Sequence, residues 1–323
     1  MRGRVLGIVL VAATTVACSE PTASCDLYVV AGPAADGGDG FDLWIAGRGL
    51  ERREALTTSG VAHDPDVSPD GTAVAFTDEM CTDPALTITE LGAGHATEVI
   101  DAGVPLHHPR WTADGRKIVA ADAGALVCGG DVSDPHDDDT VVVIDVATGG
   151  RRALAPGTAP APSPVRGVVA FVEGFDVVVI DLDTGEELHR HPRTRGEPRN
   201  DLVWSPDGRM VAWWERWHPP GETTLSDALV GLDVETGEVD VLDERVLADG
   251  EDVGALVAWT PSEMLWIRLI PEAAADVPDD RSHHVVRSPV ATLPDADAPV
   301  VGPAPGRPIR RPRLIAVDPT CAQ

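Results

Sequence analysis

The stretch Asp201–Trp214 reads DLVWSPDGRMVAWW. Its pattern predicts two short apolar strands, Leu202–Trp204 and Met210–Trp214, joined by a Ser-Pro-Asp-Gly turn. In that turn Asp207 can accept a hydrogen bond from the backbone two residues later, and Gly208 suits the position that requires a positive φ. The stretch therefore predicts a tight β-hairpin.

The same hairpin recurs along the chain. His63–Thr77 has Asp70-Gly71 at its turn, and His107–Ala121 has Asp114-Gly115 at the same place. Two weaker copies, Thr158–Val172 and Ala255–Leu269, lack the Asp-Gly pair. A recurrence at roughly 40–50 residues predicts a repeat architecture.

A second hairpin follows several of these copies. Val141–Leu154, Val177–Leu188 and Leu229–Leu242 share an apolar run that ends in Asp-x-x-Thr-Gly, and a second strand follows. The Thr-Gly pair suits a tight turn between antiparallel strands. Each unit therefore contains four strands, and such units at this period are typical of a β-propeller.

These turns and Asp-x-x-Thr-Gly hairpins resemble the TolB-like, PD40-type β-propeller family over nearly all of the chain beyond residue 25. The resemblance implies an all-β β-propeller of four-stranded antiparallel blades, and counting the repeat units predicts a six-bladed one. Arg311–Val317 resembles a first strand, and we expect it to complete the first blade and close the ring. The expected blades are residues 26–58 with 308–321, 63–100, 107–154, 158–190, 201–243 and 254–303.

The N-terminus has the features of a bacterial lipoprotein signal. Arg2 and Arg4 precede the apolar run Val5–Ala13, and Thr15-Val16-Ala17-Cys18 resembles a lipobox. We expect residues 1–17 to be a signal peptide, Cys18 to be lipidated, residues 18–25 to be a linker and residues 26–321 to be one propeller domain. An ordinary cleaved signal is the alternative. The expected location is the outer face of the cell membrane, or the periplasm if an outer membrane is present.

Four cysteines remain after Cys18, and export to an oxidising compartment favours disulfides. On the propeller alignment, Cys25 and Cys321 flank the two strands that would pair in the first blade. Cys81 and Cys128 both lie between the second and third strands of adjacent blades. The alignment therefore predicts the bonds Cys25–Cys321 and Cys81–Cys128.

The net charge is −28, from 53 acidic and 25 basic residues. So negative a protein disfavours nucleic acid and anionic membrane surfaces as partners, and it favours cationic partners or metal ions, although the charge also serves solubility. The loop DVSDPHDDD at residues 131–139 offers the metal candidates Asp131, Asp134, Asp137 and Asp139. Its spacing matches no EF-hand, so we expect a solvated loop and no cofactor, with Ca²⁺ as the alternative.

The first strand of each propeller blade lines the central channel, so residues at the start of these strands would converge near one mouth. Six residues occupy that position: His63, Asp64, His107, His108, Asn200 and Asp201. Such a ring could hold a metal or a cationic peptide. Alternatively, these groups hydrogen-bond neighbouring blades and channel water.

The chain contains no Gly-x-Ser-x-Gly or other catalytic signature. The sequence therefore favours a lipid-anchored, extracytoplasmic propeller that binds an envelope protein or peptide without catalysis. One alternative is a metal-dependent hydrolase or lactonase that uses the channel histidines and aspartates. A purely structural envelope protein is the other.

Overall fold

The computed structural model describes residues 27–37, 40–46, 52–78, 84–92, 95–103, 105–124, 139–192, 196–198, 202–217, 226–246, 252–259, 263–271, 281–289 and 310–316. Within these ranges all regular structure is antiparallel β-strand. The described residues include no helix that is long and apolar enough to span a membrane. The signal segment and all five cysteines lie outside these ranges.

Antiparallel strands pair to form blades, and in every blade but the first the strands follow the order of the chain from the inner strand to the outer one. Blade 1 contains β1 (Leu27–Pro33), β2 (Phe41–Ala46), β3 (Arg52–Ala55) and the last strand of the chain, β24 (Arg310–Ala316). Blade 2 contains β4 (Ala62–Val67), β5 (Ala73–Asp78), β6 (Ala85–Glu90) and β7 (Thr97–Ala102). Blade 3 contains β8 (Leu106–Trp111), β9 (Lys117–Asp122), β10 (Thr140–Asp145) and β11 (Arg151–Pro156).

The second half of the chain repeats this organisation. Blade 4 contains β12 (Thr158–Pro162), β13 (Val168–Glu173), β14 (Asp176–Asp181) and β15 (Glu187–His191). In blade 5 the short strands β16 (Glu197–Pro198) and β17 (Val203–Trp204) both pair with β18 (Met210–Trp217), followed by β19 (Ser226–Asp233) and β20 (Val239–Val246). A further sheet contains β21 (Asp252–Trp259), β22 (Glu263–Pro271) and β23 (Arg281–Pro289).

The structure confirms an all-β propeller of four-stranded antiparallel blades, but the predicted number of six is wrong. Five blades have four strand positions, and the sixth sheet has three strands among the described residues. The sequence of this unit lacks the Asp-Gly turn of blades 2, 3 and 5 and has no Asp-x-x-Thr-Gly hairpin, and residues 290–309 lie outside the described ranges. The predicted pairing of the C-terminal strand with the first blade is present, because β24 pairs antiparallel with β1 from Leu27↔Ala316 to Ala31↔Arg310.

The organising turn is held by its own polar side chains. The Asp207 carboxylate accepts the Arg209 N–H at 3.0 Å and the Ser205 hydroxyl at 2.6 Å, and Gly208 has a φ of +65°. These contacts confirm the predicted roles of Asp207 and Gly208. Ser205 adds a contact that sequence reasoning missed, since its Oγ also accepts the Met210 N–H at 2.9 Å.

Equivalent hydrogen bonds occur at the turns of blades 2 and 3. The Asp70 carboxylate accepts from the Ser68 hydroxyl and the Asp114 carboxylate from the Thr112 hydroxyl, each at 2.7 Å. These hydroxyl donors are the main reason why the pKa values of both aspartates lie below their usual range. The turn therefore depends on a Ser or Thr two residues before the aspartate.

Apolar side chains fill the seams between neighbouring blades. The seam between blades 4 and 5 packs Val177 and Val179 against Trp213 and Val230, all at most 1% exposed. Trp204 joins the same seam, and its indole N–H donates to the Ala161 carbonyl at 2.6 Å. The tryptophans of this blade are therefore core residues.

The inner strands of blades 2, 3 and 4 share a β-bulge, where two residues face one on the next strand. The shift lies between His63 and Asp66 in β4, between His107 and Arg110 in β8, and between Thr158 and Ala161 in β12. In each bulge a residue with positive φ precedes a proline; these residues are Asp64 (50°), His108 (54°) and Ala159 (51°). Since three different residue types adopt one conformation, the fold imposes it.

The antiparallel order gives the propeller two unlike faces. The turn face carries the connections from first to second and from third to fourth strands, and eight of these are five residues long. The loop face carries the connections from second to third strands, which run from two residues in blade 4 to 17 residues in blade 3, and the links between blades. The starts of the inner strands lie at the loop face.

Candidate functional site

Four ionisable side chains from blades 2 and 3 gather where the inner strands begin. His107 and His108 come from β8, Asp64 from β4, and Asp139 immediately precedes β10. All four are nearly excluded from water, with exposures of 2%, 1%, 7% and 1%. We call them the His–Asp cluster.

The first pair of the cluster lies within blade 3. The Nε2 atom of His107 is 3.2 Å from the Oδ2 atom of Asp139. Among the described residues, neither ring nitrogen of His107 and neither carboxylate oxygen of Asp139 has a hydrogen-bond partner. Buried polar groups are normally satisfied, so this pair is the least ordinary polar feature of the described chain.

The second pair joins blade 2 to blade 3. The Asp64 carboxylate accepts the backbone N–H of His108 at 3.2 Å, and its Oδ2 lies 4.0 Å from the Nε2 of His108. The two histidine rings meet edge to face with centroids 4.8 Å apart. Asp66 adds a second link between the two blades, since its carboxylate accepts the backbone N–H of Trp111 at 2.8 Å. The bulge at Asp64 therefore aims a carboxylate at the neighbouring inner strand.

The structure brings together three of the six predicted channel-mouth residues, but it buries them. His107, His108 and Asp64 hold adjacent blades rather than form an open ring. His63 is partly exposed, and its ring lies 5.6 Å from that of Phe41. Asn200 and Asp201 lie outside the described residues.

The predicted acidic loop is described at one end only. Asp131, Asp134 and Asp137 lie outside the described residues, and Asp139 is 1% exposed beside His107 rather than solvated. Within the described ranges no three His, Cys, Asp or Glu side chains are arranged to hold a metal ion. The sequence missed this contact because a run of acids indicates solvent, and no local pattern identifies the one residue that turns inward.

Two other buried carboxylates were also missed. Asp42, 1% exposed, accepts the backbone N–H groups of Ala35 at 2.7 Å and Gly60 at 3.0 Å. It therefore connects the loop between β1 and β2 to the segment before β4. Asp227, fully buried, accepts two bonds of 2.7 Å from Arg216 across β18 and β19. No sequence signal identified this pair, because the predicted strand ended at Trp214 whereas β18 continues to Trp217 and includes Arg216.

Comparison with known proteins places this geometry in a familiar fold. TolB from Acinetobacter baumannii is similar with a TM-score of 0.58 and 16% identity. The match covers 90% of this chain and 66% of the TolB chain, so this chain spans slightly less than two thirds of the length of TolB. An oligogalacturonate lyase in complex with manganese is similar with a TM-score of 0.55 and 16% identity. The match covers 80% of this chain and 70% of the lyase chain. A chain of a nidogen/laminin complex is similar with a TM-score of 0.55 and 12% identity, over 90% of this chain and 98% of that one.

Sequence comparison adds nothing to this, because neither a scan against protein-family models nor a search of curated proteins finds a match. At these identities the similarities establish the fold alone. The chain is a β-propeller whose structural neighbours include TolB-like propellers.

Proposed function

We propose that the protein is an exported, lipid-anchored β-propeller that binds a protein or peptide partner on its loop face. The observation that carries this proposal is the difference between the two faces. The turn face consists of short, self-bonded turns of nearly constant length, whereas the loop face varies from two to 17 residues between blades. Variable loops on a rigid scaffold are where binding residues concentrate.

The similarity to a propeller from a nidogen/laminin complex supports a protein partner, since that chain belongs to a protein–protein assembly. The charge of −28 favours a partner with cationic segments and disfavours nucleic acid. We propose no catalytic role and no cofactor.

Site-specific photocrosslinking compares the two faces directly. A photoreactive phenylalanine analogue replaces Phe175, which is 50% exposed at the short loop of blade 4, in the full-length protein in its own envelope. The matched control places the same analogue at Asp183, 78% exposed on the turn face of the same blade. We expect an adduct of defined mass from position 175 only. Equal adducts from both positions, or none from either, would count against a loop-face site.

The anchor is a separate part of the proposal. We propose that Cys18 is lipidated, which predicts that the protein partitions with membranes and that Cys18→Ala releases it or leaves the precursor uncleaved. Intact mass of the mature N-terminus measures this directly. An unmodified mature chain that begins elsewhere would overturn the anchor but leave loop-face binding intact.

We further propose a closed ring, with β24 in blade 1 and the bonds Cys25–Cys321 and Cys81–Cys128. The pairing of β24 with β1 supports closure, because it joins the last strand to the first blade. Non-reducing peptide mapping tests both bonds; four free thiols would contradict them.

A metal-dependent hydrolase or lactonase is the second candidate, and the His107–Asp139 pair favours it. Two buried groups without hydrogen bonds suit a site that receives another atom, and one structural neighbour is a lyase in complex with manganese. This function predicts that the purified protein retains a transition metal and loses it in His107→Ala. If the purified protein contains no metal and its melting temperature does not change with Mn²⁺, Zn²⁺ or Ca²⁺, a metal-dependent enzyme is excluded.

A further inference from the structure

Three of the described turns on the turn face carry an Asp-Gly pair: Asp70-Gly71, Asp114-Gly115 and Asp207-Gly208. These turns require glycine, since its φ lies between +65° and +70° in all three. The same pair is chemically vulnerable, because a glycine has no side chain to hinder its nitrogen from attacking the preceding aspartate. These turns form no part of the loop-face site proposed above.

The reaction that threatens an Asp-Gly pair is isomerisation. The Gly208 nitrogen attacks Cγ of the protonated Asp207 carboxyl group, so a C–N bond forms, a C–O bond breaks, and water leaves with the amide proton. A water molecule then adds to the α-carbonyl of the resulting succinimide and breaks the original peptide C–N bond. The chain now passes through Cβ and Cγ of this isoaspartate, which lengthens the backbone of the turn by one atom.

In the folded turn the attacking nitrogen is already engaged. The Gly208 N–H donates to the Ser205 carbonyl at 2.8 Å, and the turns of blades 2 and 3 repeat this bond at 2.8 and 2.9 Å. The amide must lose its proton in the reaction, so an N–H held by a carbonyl is a poorer nucleophile.

The carboxyl group that would be attacked is held in its ionised form. The Asp207 carboxylate accepts the Ser205 hydroxyl at 2.6 Å and the Arg209 N–H at 3.0 Å. The hydroxyl is the main reason why the pKa of Asp207 lies below its usual range. Since the succinimide forms from the protonated acid, these donors remove the reactive form.

We propose that the hydroxyl group two residues before each turn aspartate protects the Asp-Gly pair from isomerisation. Ser205 does this in blade 5, Ser68 in blade 2 and Thr112 in blade 3, where the hydroxyl donates to the carboxylate at 2.6, 2.7 and 2.7 Å. Burial offers no substitute, because all three aspartates are exposed. The hydroxyl thus lets these turns keep the glycine that their backbone needs.

The test compares the full-length wild type with Ser205→Ala and Ser205→Thr during long incubation at neutral pH. Peptide mapping with electron-transfer fragmentation distinguishes isoaspartate from aspartate at residue 207. We expect isoaspartate to accumulate about tenfold faster in Ser205→Ala, since a hydrogen bond to a charged group shifts an equilibrium by about that factor. Ser205→Thr should keep the wild-type rate, because Thr112 fills this place in blade 3. Equal rates in all three proteins would overturn the proposal.

Asp114 in the same molecule is the matched control. If Ser205→Ala acted by unfolding the protein, isoaspartate would rise at residues 114 and 207 together, and that result would overturn the proposal. Protection by the hydroxyl predicts a rise at residue 207 alone. In guanidinium chloride the wild type should isomerise faster at both residues than when folded, and equal folded and unfolded rates would also contradict protection. None of these measurements involves a partner, so failure here leaves the proposed binding function untouched.

Discussion

The turn face and the loop face use charged residues in opposite ways. On the turn face, ion pairs such as Lys117–Asp183 and Arg166–Glu235 join neighbouring blades at the surface, with the acids 78% and 54% exposed. Towards the loop face, Asp64, Asp139 and Asp227 are buried against histidine or arginine. The comparison indicates that the turn face is stabilised by side-chain hydrogen bonds within each turn and by exposed ion pairs, whereas the loop face contains buried charged groups that depend on one another.

The largest expected effect is on the buried pair in blade 5. Arg216→Met leaves the fully buried Asp227 carboxylate without its two bonds of 2.7 Å. An uncompensated buried charge costs ~3–5 kcal/mol of the free energy of unfolding, measured by urea denaturation. The double variant Arg216→Met/Asp227→Leu removes the orphaned charge, so it should recover much of the loss. A single variant that matches the wild type would show that this pair is not a stabilising contact.

The next prediction compares two glycines on the turn face that share a left-handed backbone conformation but differ in the room available for a Cβ atom. Gly208 and Gly115 have φ values of +65° and +67°. A Cβ at Gly208 would lie 2.4 Å from Val165 and 2.7 Å from Ser163, whereas at Gly115 the nearest atom, on Pro69, is 3.9 Å away.

Gly115→Ala should therefore cost ~1 kcal/mol for the left-handed conformation alone. Gly208→Ala should cost ~2–4 kcal/mol, because the overlap with blade 4 adds to that strain. Urea denaturation of both variants measures the difference. Equal losses would mean that the turn of blade 4 moves aside freely and that the turn face is less rigid than its hydrogen bonds indicate.

A smaller, stabilising effect is expected at the bulge of blade 4. Ala159 has a φ of +51° and makes none of the polar contacts that Asp64 and His108 make at the same register. Ala159→Gly should raise the free energy of unfolding by ~0.5–1 kcal/mol, because glycine tolerates this conformation. The control Ala161→Gly, in the same strand and in the seam, should lower it by a similar amount. Destabilisation by Ala159→Gly would show that the bulge carries no strain.

The sequence was sufficient for the repeating parts of the fold. Asp207 and Gly208 act locally, within a few residues, so their pattern predicts the hairpin and its recurrence predicts the blades. The unit predicted at residues 254–303 lacks both the Asp-Gly turn and the Asp-x-x-Thr-Gly hairpin, and the prediction of a sixth four-stranded blade was wrong. The His–Asp cluster was predicted only as a set of positions. Whether His107 is exposed depends on Asp139, 32 residues away in the chain, which no local rule connects to it.

The smallest effect belongs to the surface pair Lys117–Asp183, whose Nζ–Oδ1 distance is 2.9 Å. Lys117→Met keeps the side-chain stem and removes the charge. An exposed pair contributes at most ~0.5–1 kcal/mol and is screened by salt, so the loss in urea denaturation should stay within that bound and vanish at 1 M NaCl. By contrast, the loss in Arg216→Met should persist at high salt because its partner is buried. If salt reduces both losses equally, the ion pairs of the two faces do not differ in how far they are screened from solvent.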